Sequence, residues 1–282
     1  QLAENPSMRG KNVGLPIVTA AITHGLFVMG DLFVDEGDII LAPDQLWDNY
    51  SLTFETRMGA RIETFPLYSG NGFNVQGFAD ALREQGKKKN KLIVLLNFPN
   101  NPTGYMPTPA EGKGIVAALE AAAKAGTRLV VVCDDAYFGL FYHLGGASLT
   151  ESLFGALCNL HRNILPIKLD GATKELFVWG LRCGFLTFGL GHTENAQAAL
   201  DALDAKARAE IRSAISNSPM LSQSLIEKAL TTPSIAEERK QKLAVLEARA
   251  KEVDRVARDP RFAQSWDVYP FNSGYFMLIK VK

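Results

Sequence analysis

The sequence predicts an α/β fold: a mostly parallel sheet sandwiched by helices, followed by part of a smaller C-terminal α+β domain. Residues 91–96 and 128–133 are apolar almost throughout, which is typical of parallel strands buried on both faces. Between them, Thr108-Pro-Ala-Glu111 has the pattern of a capping box with proline at the first helical position. An alanine-rich helix is expected from there to Gly126. Strand, helix and strand therefore alternate, which favours a mostly parallel sheet.

The other predicted elements follow from the apolar spacing along the chain. In chain order they are helix 27–34, strand 38–42, a loop over 43–50 that runs into a further helix, strand 61–65, helix 78–83, strand 165–169, strand 185–188, helix 194–212 and a long charged helix over 235–258. Residues 87–89 are all lysine, and we expect a solvated loop there.

Composition shifts along the chain predict two domains. We assign residues 1–233 to a large domain, with residues 1–18 as an N-terminal arm. Residues 234–282 are expected to form a connector helix and the start of a small C-terminal domain. The chain begins at Gln1 and stops at Lys282, directly after an apolar segment at 274–281 that is typical of a strand, so we expect a part of a longer protein.

Charge and cysteine usage restrict the class of partner. The 30 basic and 30 acidic side chains cancel, which argues against nucleic acid or an anionic membrane as the main partner. No apolar run is long enough to span a bilayer. The three cysteines lack metal-ligand spacing and are expected to be reduced core residues of a cytoplasmic protein. The four histidines show no ligand spacing either, so no metal site is predicted.

The most informative stretch is 170–185, in which Lys174 lies on a turn between two predicted strands. Partial burial disfavours a charged amine, lowers its pKa and makes it a nucleophile that forms a Schiff base with an aldehyde. Arg182, eight positions later, presents a fork that suits a phosphate. An aldehyde joined to a phosphate describes pyridoxal phosphate (PLP). A surface lysine on a loop is the alternative, and the rest of the chain decides between them.

Two more clusters of polar residues follow predicted strands, at 97–104 and 134–137. In open α/β sheets, ligands bind outside the carboxyl ends of the strands, so these clusters are expected to meet the Lys174 turn. The helix that begins near Thr23 offers free backbone N–H groups to an anion such as phosphate. A simple N-cap remains the alternative for Thr23.

Together these residues resemble the class I/II aminotransferases of the aspartate aminotransferase superfamily, which are fold-type I PLP enzymes. The motifs that carry the resemblance are, in order, Asn101-Pro-Thr-Gly104, Asp134-x-Ala-Tyr137, Lys174 with Arg182, and Arg212 with Ser216-Asn217-x-Pro219. A single motif would be weak, but four in the family's order form a specific signal. The resemblance extends from about Thr19 to Phe276 and implies the fold-type I large domain.

The resemblance implies roles for the catalytic residues. Lys174 would bind the cofactor through a Schiff base and move the proton at the substrate Cα. Asp134 would pair with the pyridine nitrogen, which strengthens the ring as an electron sink. Tyr137 and Asn101 would bond the 3′-oxygen of the cofactor. Asp135, next to Asp134, is expected to be structural.

The resemblance also implies how the cofactor is held. Arg182 would bind the phosphate together with the helix N-terminus at Ala21, Ile22 and Thr23. Trp47 would stack on the cofactor ring, with a core aromatic as the alternative.

Two positions depart from the family pattern. Gly171 stands where the family often has a serine whose hydroxyl binds the phosphate, and Thr173 is expected to compensate in part. Ile22 occupies a place where many relatives have a smaller residue.

Substrate and assembly are implied in the same way. Arg212 resembles the arginine that reaches into the neighbouring subunit's site, where it favours aspartate or glutamate, although a structural role stays open. The family forms homodimers, so a homodimer is expected. The arginine that clamps the substrate α-carboxylate is expected beyond Lys282.

The resulting functional prediction is a PLP-dependent aminotransferase that moves an amino group between an amino acid and a 2-oxo acid. A PLP-dependent lyase or decarboxylase on the same scaffold shares the anchoring residues and remains an alternative. The effector domain of a transcription regulator, with PLP as a sensed ligand, is the other.

Overall fold

The structure is a computed structural model that describes all 282 residues. Its strands are β1 (Ile17–Thr19), β2 (Ile39–Pro43), β3 (Arg61–Phe65), β4 (Tyr68–Ser69), β5 (Gly72–Phe73), β6 (Lys91–Asn97), β7 (Arg128–Asp134), β8 (Ile164–Gly171), β9 (Gly184–Phe188), β10 (Trp266–Val268) and β11 (Ile279–Val281). Its helices are α1 (Ala21–Phe33), α2 (Val75–Lys88), α3 (Pro109–Lys124), α4 (Phe154–Leu157), α5 (Ala172–Glu175), α6 (Ala196–Ile215), α7 (Met220–Thr231) and α8 (Pro233–Ala257). A π-helical turn covers Ser51–Arg57.

Seven strands form the central sheet in the order β1-β9-β8-β7-β6-β2-β3. The pairs β3–β2, β2–β6, β6–β7 and β7–β8 are parallel. Strand β9 is antiparallel to both of its neighbours, β8 and β1. The register places Asn97 beside Asp134 at the ends of β6 and β7. The mostly parallel sheet confirms the predicted fold class, and it brings the carboxyl ends of β6, β7 and β8 to one edge.

Helices cover both faces of this sheet, because the strand side chains alternate between two apolar cores. Val131 and Cys133 of β7 point into a core that includes residues of α2 and α3. Val130 and Val132 point into a second core formed with α1 and α6. Burying each large apolar side chain contributes about 1.5–3 kcal/mol relative to exposure, so the two cores fix the sheet between the helices.

The predicted capping box is present. Thr108 accepts a hydrogen bond from the Glu111 N–H, and the Glu111 carboxylate accepts one from the Thr108 N–H. The loop predicted at residues 87–89 is wrong for the first two lysines, since α2 continues through Lys88, whereas the predicted solvent exposure of all three is confirmed. Lys88 pairs with Glu84 one helical turn earlier, and cations are favoured in the last turn by the helix dipole.

The C-terminal part also departs from the prediction. Of the apolar segment 274–281, only Ile279–Val281 forms a strand, paired with β10. Residues 272–274 instead form hydrogen bonds with the loops that contain Gly104 and Leu140. The Asn272 and Ser273 N–H groups both donate to the Gly104 carbonyl. None of the helices combines the length and the apolar character needed to cross a bilayer.

Candidate active site

A cavity of 570 Å³ opens where β6, β7 and β8 end, next to the N-terminus of α1. Its volume lies in the range of small-molecule sites. The lining residues are Ala21, Ile22, Thr23, Trp47, Tyr50, Asn97, Asn101, Asp134, Ala136, Tyr137, Thr173, Lys174, Trp179, Arg182 and Phe276.

Every residue predicted to bind the cofactor lines this one cavity. Arg212 does not: it lies on the surface in the last turn of α6, where its guanidinium contacts Ser216 Oγ. The structure therefore brings together residues from 21 to 182 in one place and leaves Arg212 outside the cavity of its own chain.

Lys174 lies in α5, a single turn that begins where β8 ends. Its amine forms no ion pair with any carboxylate of the chain, and it lies 5.9 Å from the centroid of the Tyr137 ring. Partial burial lowers the pKa of Lys174, and the nearby positive charge of Arg182 lowers it further. The amine is therefore neutral more often than an ordinary lysine, as a nucleophile or a base requires.

Asp134 is the buried carboxyl group of the site. Its Oδ2 accepts a hydrogen bond of 2.6 Å from the Tyr50 hydroxyl, and its Oδ1 accepts one of 3.1 Å from the Ala136 N–H. Burial raises the pKa of Asp134 to about 6, although these two donors work in the opposite direction. Asp135 points to the other face of the sheet, where it lies 2.9 Å from Lys168 Nζ.

Tyr137 lies on the C-terminal side of the same strand end. Its hydroxyl accepts a hydrogen bond of 3.4 Å from Asn101 Nδ2. Burial raises the pKa of Tyr137, so its hydroxyl stays protonated and serves as a donor at neutral pH. The ring is held edge-on by Tyr275 and Phe276, at centroid distances of 5.9 and 5.5 Å.

The cavity also has groups that suit an anion. The first turn of α1 presents free backbone N–H groups to it, and Arg182 and Thr173 are among its lining residues. The Thr173 hydroxyl is buried without any hydrogen-bond partner in the protein, which is costly unless a ligand supplies one.

Gly171 lies in a tightly packed position, close to the backbone of Cys183 and Gly184. A Cβ at Gly171 would lie 3.0 Å from the Cys183 carbonyl oxygen and 3.5 Å from Ile22 Cγ1. A serine at position 171 would therefore be crowded by the backbone of Cys183 and Gly184, whereas its distance to Ile22 is an ordinary van der Waals contact. Position 171 thus offers no hydroxyl, and Thr173 is the hydroxyl residue of this turn that lines the cavity.

Five lining residues were not assigned a role from the sequence: Asn97 and Ala136, which lie in the clusters expected at 97–104 and 134–137, and Tyr50, Trp179 and Phe276. Tyr50 follows Trp47 by three residues, and the two rings meet edge to face at 5.6 Å. Trp47 precedes the helical turns, so no helical periodicity in the sequence indicated this contact. Phe276 had no local signal, because only the fold brings the C-terminal segment onto Tyr137.

Fold and site together define an α/β protein that can hold a phosphorylated small molecule against a lysine at the carboxyl edge of its sheet. The chain matches the family described as aminotransferase class I and II over residues 10–282. It therefore belongs to this family, whose class I members are PLP-dependent.

Known proteins agree with this assignment. An aspartate aminotransferase of Musicola paradisiaca is 32% identical over 171 residues, which cover 60% of this chain and 39% of that protein. The crystal structure of an aminotransferase from Anaerococcus prevotii superposes with a TM-score of 0.82 at 22% identity, covering 97% of this chain and 65% of that one. An aromatic-amino-acid aminotransferase from Burkholderia pseudomallei, covalently bound to pyridoxal phosphate, gives 0.67 at 21% identity, covering 89% and 60%. The chain spans half or less of the length of these curated relatives.

Proposed function

We propose that the protein containing this chain is a PLP-dependent aminotransferase that transfers an amino group between an amino acid and a 2-oxo acid. One observation carries the proposal. A single cavity is lined by Lys174, whose pKa is lowered, by the buried Asp134 carboxyl and by Thr173, whose hydroxyl has no partner in the protein.

The residues present fit PLP. Lys174 would hold its aldehyde carbon, and Asp134 its ring nitrogen. Tyr137 and Asn101 would bond the ring oxygen. The phosphate would be bound by Arg182, Thr173 and the first turn of α1, and Trp47 would cover the ring. When bound, PLP supplies a sink for the electrons left on the substrate Cα after its proton is removed.

The chain's own residues move and hold the protons. With its lowered pKa, the Lys174 amine can accept the proton from the substrate Cα and return it. Above about pH 6 the Asp134 carboxyl is ionised and offers a negative charge to a protonated ring nitrogen. The Tyr137 hydroxyl remains a donor, because burial raises its pKa.

We further propose a homodimer in which Arg212 of one subunit binds the side-chain carboxylate of a dicarboxylic substrate in the other. Arg212 is exposed near the end of α6, and Met220 and Leu221 at the start of α7 are 74% and 73% exposed, which supports a partner that covers this part of the chain. Sedimentation of the complete protein should give a dimer, and a monomer at all concentrations would contradict this. The same proposal includes a boundary between two domains near residue 233. It also includes a cytoplasmic location, which is supported by the three cysteines, because all of them are free and buried.

The test is amino transfer from aspartate to 2-oxoglutarate by the complete protein with PLP. Lys174→Ala should abolish both glutamate formation and the cofactor absorbance that the amine produces. Lys113→Ala is the matched control, since Lys113 is an exposed lysine of α3 without an ion pair. Retention of the absorbance in Lys174→Ala would overturn the assignment. Consumption of aspartate without glutamate would favour a lyase or decarboxylase.

A further inference from the structure

The turn that carries Lys174 has few hydrogen bonds of its own. α5 has four residues, and the last four carbonyls of any helix lack partners within the helix. The turn closes through the Leu176 N–H, which donates to the Ala172 carbonyl at 3.0 Å, and through the Phe177 N–H, which donates to the Lys174 carbonyl at 3.3 Å. Phe177, the next residue, has a φ of +57°, a strained left-handed conformation for a side chain of this size. Such a conformation persists only when surrounding contacts enforce it.

Two side chains from the C-terminal part of the chain contact the backbone just before Phe177. The Tyr275 hydroxyl donates to the Lys174 carbonyl at 3.2 Å. Arg239 of α8 donates through Nε to the Glu175 carbonyl at 3.1 Å, and its Nη2 lies 3.2 Å from Glu175 Oε1. The two consecutive carbonyls at the end of the turn are thus both bound by residues far away in the sequence.

The route of the Arg239 side chain is kept open by a glycine. Gly139 has a φ of +82°, and a Cβ at this position would collide with Arg239 Nη2. The guanidinium also lies 3.7 Å from Glu4 Oε1 in the N-terminal arm. The contact therefore joins α8, the arm and the Lys174 turn at one point.

Tyr275 is placed by the segment that contacts the rest of the site. Ser273 donates its N–H to the Gly104 carbonyl, and Gly274 donates to the Leu140 carbonyl. The Tyr275 ring then meets the Tyr137 ring edge to face at 5.9 Å. One segment therefore contacts both the Tyr137 ring and the backbone of the lysine.

We propose that Arg239 and Tyr275 are positioning residues that hold the backbone of the Lys174 turn and thereby orient its amine in the cavity. Through them, α8 and the C-terminal segment determine how the lysine is presented. The catalytic consequence rests on the proposed function, whereas the restraint on the backbone does not depend on it.

Hydrogen exchange of the protein without PLP tests this directly. Loss of one hydrogen bond is expected to speed exchange of the Leu176 and Phe177 amides by up to about tenfold in Tyr275→Phe and in Arg239→Met, and further in the double variant. Tyr142→Phe and Arg249→Met are the matched controls. The Tyr142 hydroxyl forms no hydrogen bond with the protein, and Arg249 is an exposed arginine of α8 without an ion pair. Exchange in both controls should match the wild type.

A second readout follows with PLP added: the pH midpoint of the cofactor absorbance should shift in Arg239→Met and Tyr275→Phe and return towards the wild type in Arg239→Lys. The proposal is overturned if exchange at 176–177 is unchanged, if the controls exchange equally fast, or if β6 and β7 accelerate to the same extent. If the local acceleration occurs but Lys174→Ala still captures PLP like the wild type, the proposed function fails and the restraint stands.

Discussion

Replacing Tyr50 by phenylalanine tests how the buried carboxyl of the site is kept ionised. The change removes the hydroxyl that donates to Asp134 Oδ2 at 2.6 Å and leaves the ring, which is 2% exposed, in place. A hydrogen bond to a charged group is worth about 1.5–3 kcal/mol, against about 0.5–1.5 kcal/mol for a neutral pair. The difference of about 1–1.5 kcal/mol corresponds to about one pKa unit. The Asp134 pKa should therefore rise by about one unit from its value of about 6.

The sign of the pH dependence follows from proton linkage. Because the folded-state pKa of Asp134 is raised above that of the unfolded chain, this group lowers the stability as pH rises from the unfolded to the folded pKa. In Tyr50→Phe that window extends about one unit higher. The free energy of unfolding of the variant should therefore fall below that of the wild type by about 1–1.5 kcal/mol more at about pH 8 than at about pH 5.

Urea unfolding at both pH values measures this difference, with Tyr142→Phe as the control for loss of a tyrosine hydroxyl. A Tyr50→Phe deficit that is equal at both pH values would refute the reasoning. It would show that the hydroxyl does not distinguish the charged from the neutral carboxyl.

Three further predictions concern the stability of the fold around the site, and urea unfolding measures each of them. Ala21 has a φ of +67° at the start of α1, so Ala21→Gly should raise the free energy of unfolding by about 0.5–1 kcal/mol; a loss would contradict this. Lys168 is 1% exposed and lies 2.9 Å from Asp135 and 3.0 Å from a second aspartate, so Lys168→Met should cost about 3–5 kcal/mol at neutral pH and less in acid, where the carboxyls protonate. A cost that does not change with pH would exclude the ion pairs as its origin. A Cβ at Gly104, whose φ is +72°, would collide with the Phe276 carbonyl oxygen, so Gly104→Ala should cost more than about 1 kcal/mol; a neutral result would mean that the two segments separate easily.

The sequence predicted those parts of the site that depend on local order and on sheet geometry. Asn101, Asp134 and Lys174 each follow an apolar strand, and parallel strands bring such positions to one edge. Tyr50 was not predicted to contact Asp134, because its acceptor lies 84 residues away and an aromatic loop residue equally suits core packing. The hydrogen bonds from Tyr275 and Arg239 to the Lys174 turn could not be predicted either, because their acceptors are backbone carbonyls, which every residue has.

The secondary structure follows the same rule: elements with a local sequence pattern were predicted, and an element without one was missed. β3 was predicted with its observed bounds, because its flanking residues and its pattern are both local. α7 was missed because its apolar side chains do not lie on a single buried face: Met220, Leu221, Leu225 and Leu230 are all exposed. A helix of this kind lacks the one-sided pattern from which helices are recognised.

The central claim is that the Lys174 amine, among all the lysines of the chain, captures the cofactor aldehyde. Borohydride reduction of the PLP-loaded protein, followed by proteolysis and mass spectrometry of the peptides, makes that attachment permanent and locates it. We expect the added phosphopyridoxyl mass on the peptide that contains Lys174, and on that peptide alone. The added mass on the buried Lys168 or on any other lysine, with Lys174 unmodified, would contradict the claim.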